Sequence, residues 1–521
     1  HDALPSVAVL PYKAFDLDRF FVPKELVLHV VASLAAAALL VRATRLALTR
    51  VDTLLGAYLI LSAASALLAP NGWLAWRALA VSLAGAAVFW SARAVARAGW
   101  REALLTIFAC GVWIAAVTAL LQAYGLESRF ISINRAPGGT LGNRNFVAHL
   151  AAIGAPALLV RTLGARTRWG AVVGGAAFVT LGAALAMSRS RAAWLALAAA
   201  IPIVFVVAVA TRRHWSGTRL WPRARWVGVA TAVGVLAAVF LPNRLNWKSD
   251  SPYLDSVRGV VDYRAGSGRG RLVQYRNTLR MSVSHPVFGV GAGNWPVSYP
   301  AFASPNDPSI DPDDGMTANP WPSSDWMAVL SERGWSAFAC LVLVFVGLGV
   351  GGLLALSADG ADEVARGLAL VSTVVAAAVV GAFDALLLLP APALLVWGLL
   401  GALAPRARSR VVIALPPVRR LVALSLVVLL GGVAAYRSES QAVAMALAER
   451  GNRITTLTHA AARDPGSYPI RMRLADLYAR RGRCDGVRTH AGRAHELFPA
   501  APAPRHLLAR CGIGGKREAL R

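Results

Sequence analysis

The chain has 521 residues, of which 56% are hydrophobic and only 16% charged, and its mean hydropathy of +0.52 excludes an ordinary soluble globular protein. Lys and Arg outnumber Asp and Glu by 54 to 27, which gives a formal net charge of +27. Apolar runs of about 17 to 22 residues recur, each long enough to cross roughly 30 Å of hydrocarbon. These runs predict an all-α, polytopic membrane helical bundle with about twelve spans: 25–41, 52–68, 74–92, 102–123, 144–160, 169–187, 192–210, 226–242, 335–357, 365–386, 388–404 and 419–436.

The positive charge is concentrated in one set of connecting loops. Because the loops after the first, third, fifth, seventh and eleventh runs alternate along the chain, they lie on one side of the membrane, and that side is cytoplasmic by the positive-inside rule. We therefore interpret the charge as a topology signal and expect no nucleic-acid partner. The arginines of these loops are Arg42, Arg45, Arg50, Arg93, Arg97, Arg101, Arg161, Arg166, Arg168, Arg212, Arg213, Arg219, Arg223, Arg225, Arg406, Arg408, Arg410, Arg419 and Arg420.

This orientation divides the chain into membrane and external segments. Spans 1–8 occupy 25–242 and spans 9–12 occupy 335–436, whereas 1–24, the long loop 243–334 and 437–521 lie outside the cytoplasm. Arg- and Ala-rich usage indicates a bacterial source, so we expect the inner membrane with these segments in the periplasm. The sequence begins with His1 rather than Met, and we expect a further helix to precede it.

Two short external segments have features of an anion site. Gly138, Gly139 and Gly142 precede a helix that Asn143 can cap, and Arg135 stands just before them; a helix amino terminus behind a glycine turn attracts anions. His149, one turn into that helix, is interpreted as packed or hydrogen-bonded.

The second segment contains Arg189 and Arg191, which lie at the external end of spans six and seven against the charge bias. Arginine at such a depth is costly unless paired, so both are candidate ligand-binding residues.

Five motifs together resemble those of the O-antigen ligase and polymerase superfamily of membrane glycan transferases. The resemblance covers roughly 20–436, and the long loop falls between the eighth and ninth spans here but between the ninth and tenth in the family. The motifs are Gly139-Thr-Leu-Gly-Asn-Arg-Asn, Ser190-Arg-Ala-Ala-Trp, Arg271 with Tyr275, His285-Pro-Val-Phe-Gly-Val-Gly-Ala-Gly-Asn-Trp and Leu330-Ser-Glu-Arg-Gly.

The resemblance implies a glycosyltransferase that moves a glycan from a polyprenyl (undecaprenyl) diphosphate carrier to an acceptor hydroxyl at the periplasmic face. Arg191 and Arg271 match the family arginines that grip the diphosphate, and guanidinium groups bind phosphate oxygens in pairs. We expect neither a metal nor a cofactor, because the diphosphate is already an activated leaving group. Further substrate-binding candidates are Arg189, Arg135, Arg276, Tyr275, His285 and Asn143.

The general base departs from the family pattern. Family ligases carry a histidine shortly before the Leu-x-Glu-x-Gly motif, and this chain has Ser323-Ser324 there, followed by Asp325. A partly desolvated carboxylate can act as a general base. We therefore name Asp325 as the first catalytic candidate and Glu332 as the second.

The region after 436 is polar and helical in pattern. Pro465 and Pro499 are 34 residues apart, which is the tetratricopeptide period, and such repeats bind proteins on a concave face. We expect a small periplasmic repeat domain with a possible protein partner. In an oxidising compartment, Cys484 and Cys511 are predicted to form a disulfide.

Several functions remain open at this point. The acceptor could be lipid A-core (a ligase in lipopolysaccharide biosynthesis), another repeat unit (an O-antigen or exopolysaccharide polymerase) or a protein hydroxyl (an O-oligosaccharyltransferase). A non-enzymatic scaffold or transporter of the cell-envelope glycan pathway is the alternative. A transporter should place ionisable residues within its spans and show repeated halves, and neither is evident in the sequence.

Overall fold

The structure is a computed structural model that describes residues 14–128, 131, 135–211, 220–247, 249–259, 266–304, 306–311, 315–358, 360–406 and 409–512. Residues 1–13 of the expected amino-terminal segment and 513–521 of the expected repeat domain lie outside this part of the chain.

Among the described residues, twelve helices cover the twelve predicted apolar runs. Ten stretches of the described chain are long and apolar enough to cross a membrane; one of them, Gly72–Ala123, joins two helices through a π-helical turn at Ala96–Trp100, and Pro390–Leu403 is a shorter apolar helix. The all-α, polytopic class is confirmed. The helices are α1 Ala14–Arg42, α2 Arg50–Leu67, α3 Gly72–Val95, α4 Arg101–Ala123, α5 Arg144–Leu163, α6 Arg168–Ser188, α7 Arg191–Ala210, α8 Leu220–Phe240, then, after three short loop helices, α12 Asp325–Ala355, α13 Ala361–Phe383, α14 Pro390–Leu403 and α15 Pro417–Glu449.

One end of the bundle, here called the arginine-rich face, is fastened by polar contacts between its loops. Strands β1 (Arg45–Leu48) and β2 (Val411–Ala414) pair antiparallel and join the loops after α1 and before α15. Arg93 forms an ion pair of 2.6 Å with Asp52, and Arg101 donates to the carbonyl of Ala402. The arginine-containing loops after the first, third and eleventh runs therefore lie together at this end.

The opposite end, called the loop face, carries the long 243–334 segment. Within it lie the short helices α9 (Pro252–Arg258), α10 (Gly266–Ser284) and α11 (Trp295–Ser298), and a 3-10 turn at Tyr299–Ala301. Residues 325–333 of this segment are helical, and Ser324 caps α12 by accepting a hydrogen bond from the amide of Met327. The expected loop boundary at 334 coincides with the break in the helical backbone at Gly334.

Both ends of the chain continue membrane helices beyond the boundaries expected from hydropathy. Helix α1 begins at Ala14, ahead of the expected boundary at 24, because Phe20, Phe21 and Val22 are buried; Phe21 packs edge-on against Phe146 and Trp321. Helix α15 runs unbroken past 436 to Glu449. Apolar composition indicates the part of a helix that contacts lipid. Contacts with the rest of the protein allow the helix to continue beyond that part.

Four short helices follow α15 and form the carboxy-terminal unit: α16 Ile454–Arg463, α17 Tyr468–Arg480, α18 Cys484–Leu497 and α19 Pro502–Arg510. Cys484 and Cys511 form a disulfide with a Cα–Cα distance of 5.6 Å, which ties the start of α18 to the end of α19. The inner surface of the unit holds Met316 of the long loop among Tyr468, Met472 and Phe498. The unit therefore rests on the loop face of the bundle.

Gly334 lets α12 pass the loop turn that precedes α11. Its backbone angles (φ 83°, ψ 171°) are left-handed and non-helical, and the amide of Trp335 donates to the carbonyl of Pro286 at 2.9 Å. A Cβ at residue 334 would collide with the carbonyl oxygen of Val287. Only glycine satisfies both requirements.

Gly334→Ala is therefore expected to destabilise the protein, by about 1–2 kcal/mol from the left-handed backbone alone, with the collision in addition. Thermal unfolding in detergent, followed by size-exclusion chromatography of the surviving protein, measures the effect. Gly228→Ala is the matched control, since residue 228 lies in α8 and has open space around it. Equal melting temperatures for the two variants would contradict this account of residue 334.

Candidate active site

Arg191 is the first residue of α7 and stands at the loop face. Arg189 closes α6 with a left-handed backbone (φ 53°), so the chain reverses direction within two residues. The Arg191 guanidinium donates to the carbonyl of Gly259, at the end of α9. This contact draws the cationic side chain across the membrane surface toward the long loop.

Arg271 approaches the same place from α10. A small cleft is lined by both guanidinium-bearing residues together with small and apolar ones: Arg191, Ala192, Leu195, Gly259, Gly268, Arg271 and Phe383. Two cations beside one another repel, and in a partly apolar setting an anion between them removes that repulsion. The structure thus brings together two arginines that lie in different helices and far apart in the sequence.

Helix α10 is fixed over the cleft by its polar inner face. The Tyr275 hydroxyl lies 2.7 Å from the carbonyl oxygens of both Ser323 and Ala382, and Gln274 accepts a hydrogen bond from the amide of Ser323. Tyr275 is therefore a support for the cleft, and it does not line it. These bonds set the position of Arg271, one helical turn away from Tyr275.

Asp325 is an anchor in the structure and has no access to the cleft. Its side chain is fully buried, and its two oxygens accept hydrogen bonds of 2.9–3.0 Å from the amides of Leu386 and Leu387. A carboxylate whose lone pairs are used in this way holds the α13–α14 turn in place. This differs from the sequence expectation that Asp325 acts as a base.

Glu332, the second expected base, has the same kind of role. It is 2% exposed and accepts hydrogen bonds from the amides of Gly293 and Trp295 at 2.9 and 3.1 Å. It therefore ties the glycine-rich turn after His285 to α12. His285 is exposed, its Nδ1 lies 3.2 Å from the carbonyl of Met281, and its ring packs edge-on near Phe302. None of these residues lines the cleft.

The remaining candidates flank the cleft or face elsewhere. Asn143 is buried and caps α5 through the amide of Asn145, as its position predicts. Arg189 donates to Ser256 and lies over the ring of Trp247; burial lowers its pKa, and nearby Asp255 opposes the shift. Arg135 and Arg276 are exposed side chains. These four residues lie at the loop face, and none of them lines the cleft.

A buried histidine–aspartate pair lies directly behind the cleft. His149, on α5, is fully buried, with Nε2 3.9 Å from an oxygen of Asp384 and 3.4 Å from the hydroxyl of Ser190. Asp384 follows Phe383, which lines the cleft, and its side chain is 14% exposed. Arg271 is close enough to act on His149 electrostatically.

The sequence pattern does not single out this pair. His149 sits in an apolar run, which predicts a packed or hydrogen-bonded side chain, and Asp384 belongs to no recognisable motif. One signal was available: Asp384 is a lone carboxylate at the external end of a long apolar run, where an ionisable residue needs a partner. The identity of that partner depends on the fold.

A second, much larger cavity of about 1420 Å³ is lined by α4–α8 and α13; it is open on one side, where the exposed side chains of Trp169, Val173 and Ile201 line it. It extends from Arg161 and Thr167 at the arginine-rich face to Leu185, one turn below the end of α6, and its walls are mostly apolar. Pockets for drug-sized ligands measure about 300–1,000 Å³, so this space suits a longer apolar chain. Among the described residues, no group of three or more His, Cys, Asp or Glu side chains is arranged to hold a metal.

Fold and cleft together define a multi-pass membrane protein with a cationic cleft at one face and an apolar cavity beneath it. Residues 176–342, about a third of the chain, match the family model described as O-Antigen ligase (Wzy_C). The match runs from α6 through the long loop into α12 and includes both Arg191 and Arg271. None of the curated proteins matches the chain.

The two accounts of Asp325 predict different outcomes for Asp325→Asn. An anchor that loses half of its acceptor capacity should lower the unfolding free energy by about 1–3 kcal/mol, because buried amides are left unpaired. We expect a lower melting temperature, with the variant that survives at low temperature still active. Ser357→Ala, in the exposed turn after α12, is the control for protein lost during purification. An unchanged melting temperature with abolished glycan transfer would instead make Asp325 the base.

Proposed function

We propose that the protein is a membrane glycosyltransferase that moves a glycan from a polyprenyl diphosphate carrier to an acceptor hydroxyl, in the manner of O-antigen ligases. The observation that carries the proposal is the cleft shared by Arg191 and Arg271 at the loop face. The family match over the same elements supports it.

The cleft fits the chemistry of a diphosphate leaving group. As the bond from the sugar to the diphosphate breaks, negative charge grows on the departing oxygen, and two guanidinium groups beside it stabilise that charge. Removal of a single donor from such a site typically slows a reaction about 10²- to 10³-fold. Lysine replaces arginine poorly here, because it lacks the planar pair of donors.

The apolar cavity is proposed to hold the polyprenyl chain of the carrier. Helix α7 forms a wall of both spaces: Arg191, Ala192 and Leu195 line the cleft, and the cavity begins at Leu197. At 1.5 Å of rise per residue, Leu195 and Leu197 lie about 3 Å apart along the helix axis. Residues two apart point to opposite sides of a helix, so a substrate with its diphosphate at Arg191 would pass its tail around α7 to enter the cavity.

The orientation proposed for the protein places the arginine-rich face in the cytoplasm of a bacterium and the cleft in the periplasm, across the inner membrane. A lipid-linked donor exported to the periplasm would then meet the cleft. The acceptor is proposed to be the lipid A-core of lipopolysaccharide, with a growing glycan chain or a protein hydroxyl as the other acceptors of the same chemistry.

The carboxy-terminal unit is proposed to be a tetratricopeptide-like array. Its helices are of similar length, successive helices pack on each other, and Ala475 and Tyr478 of α17 pack against Val487 and Ala491 of α18. Because its inner surface already holds Met316, we propose that its first partner is the long loop of its own chain. The outer surface is left for a protein partner.

The proposal is tested by Arg191→Ala and Arg271→Ala. Each variant is expected to lose glycan transfer by at least about 10²-fold in purified protein with a lipid-diphosphate donor. Arg191→Lys and Arg271→Lys are expected to recover little of it. Transfer is measured as the shift of labelled glycan from the carrier to the acceptor.

Arg280→Ala is the matched control, because Arg280 is an exposed arginine on the same helix as Arg271 and lies away from the cleft. It is expected to transfer glycan at the unchanged rate. Full activity in both cleft Ala variants would refute the diphosphate site. Mass-spectrometric profiling of cell-surface glycans in a deletion strain separates loss of attachment from loss of chain length, and so distinguishes ligase from polymerase.

A further inference from the structure

We propose that Asp384 is the general base of the transfer reaction and that His149 is the residue that positions it. This inference rests on the proposed function and assigns the role that the sequence leaves vacant at Ser323-Ser324. It is carried by the contact between the two side chains behind the arginine cleft.

The first support is the location of Asp384. Its neighbour Phe383 lines the cleft, and its own carboxylate is partly exposed, whereas the carboxylates of Asp325 and Glu332 are buried and bonded to backbone amides. One Asp384 oxygen accepts a hydrogen bond from the amide of Ala385, and the other faces His149. In the part of the chain that the structure describes, no arginine or lysine forms an ion pair with Asp384 within 4.0 Å.

The second support is the burial of His149. The imidazole is fully enclosed, and its Nδ1 has no hydrogen-bond partner among the described residues. A satisfied core histidine would use both nitrogens. Here Nε2 meets both Asp384 and the hydroxyl of Ser190, the residue that precedes Arg191. The ring thus connects the carboxylate to the start of the helix that carries the diphosphate-binding arginine.

The third support is that the elements that hold the cleft also hold the pair. Asp384 belongs to the α13–α14 turn, which Asp325 holds through the amides of Leu386 and Leu387. Tyr275 of α10 contacts the carbonyl of Ala382 in the same region. The charged groups acting on His149 are Asp384 from this turn and Arg271 from α10. The same elements therefore hold the proposed base Asp384, the positioning residue His149 and the diphosphate site.

The reaction step balances with these groups alone. The acceptor hydroxyl gives its proton to the Asp384 carboxylate while its oxygen forms a bond to the anomeric carbon. The bond from that carbon to the diphosphate oxygen breaks, and its electron pair leaves on the diphosphate between Arg191 and Arg271. The Nε2 edge of His149, 3.9 Å from the carboxylate, holds it toward the acceptor and favours its charged form before the transfer.

The pair is tested in the full-length protein in nanodiscs, with two measurements: binding of undecaprenyl diphosphate and glycan transfer as a function of pH. Asp384→Asn is expected to bind the lipid diphosphate as the unchanged protein does and to lose transfer by about 10²- to 10⁴-fold. Asp384→Ala is expected to regain transfer when formate is added, because formate supplies the missing carboxylate. Transfer by Asp384→Asn at the unchanged rate, or no rescue by formate, would overturn the assignment.

His149 is tested by two substitutions of different chemistry. His149→Phe keeps a ring beside Phe146 but removes the ring nitrogen that faces Asp384; we expect a lower kcat, an unchanged KM for the donor, and an acidic limb of the pH profile moved to higher pH. His149→Gln keeps a donor and is expected to restore most of the activity. His459→Gln, on an exposed face of α16, is the control. A normal kcat and pH profile in His149→Phe would refute the positioning role.

The outcomes also separate this inference from the proposed function. If the unchanged protein transfers no glycan and binds no lipid diphosphate, the proposed function fails. If it does both, and the Asp384 and His149 variants behave like it, only the assignment of the pair fails.

Discussion

Two guanidinium groups facing one cleft are the constraint on which the rest of the loop face depends. Arg191 and Arg271 come from different helices, and like charges in a partly apolar setting push those helices apart. Hydrogen bonds in and around the cleft hold them together. Gly259 accepts from Arg191, and Tyr275 fixes α10 to the carbonyls of Ser323 and Ala382. The cleft measures about 10 Å³, room for about one water molecule, so the side chains that line it must move apart to admit a diphosphate.

Two acidic residues of the loop support this framework. Asp325 and Glu332 are each buried, and each accepts hydrogen bonds from two backbone amides of a neighbouring turn. The charge of a buried carboxylate is well suited to this purpose, because charge-assisted hydrogen bonds to amides are stronger than neutral ones. The cost of burying the charge is offset by these bonds, which leave neither residue free to reach a substrate.

Much of the architecture follows from the sequence, because apolar length and arginine asymmetry are local properties. The twelve runs and the grouping of the arginine-rich loops required no knowledge of packing. Arg191 and Arg271 can also be predicted from the sequence, because each lies in a recognisable motif. The roles of Asp325 and Glu332 were not, because only the fold reveals which amides they meet. The pairing of His149 with Asp384 joins α5 to the turn after α13, and no local pattern links positions so distant in the chain.

The boundaries of the segments show the same limit. Hydropathy predicts that the first helix begins at 25 and that the last ends at 436. In the structure, the first helix begins earlier and includes Phe20 and Phe21, and the last continues to Glu449. Protein contacts at the loop face sustain these extensions, and hydropathy does not record such contacts.

The most direct measurement is a cryo-electron microscopy structure of the protein in nanodiscs with undecaprenyl diphosphate bound. The account predicts density for the diphosphate within hydrogen-bond distance of both Arg191 and Arg271, with the polyprenyl chain descending along α7 into the cavity beneath. Diphosphate density that contacts neither arginine, or a chain that runs along another face of the bundle, would contradict it.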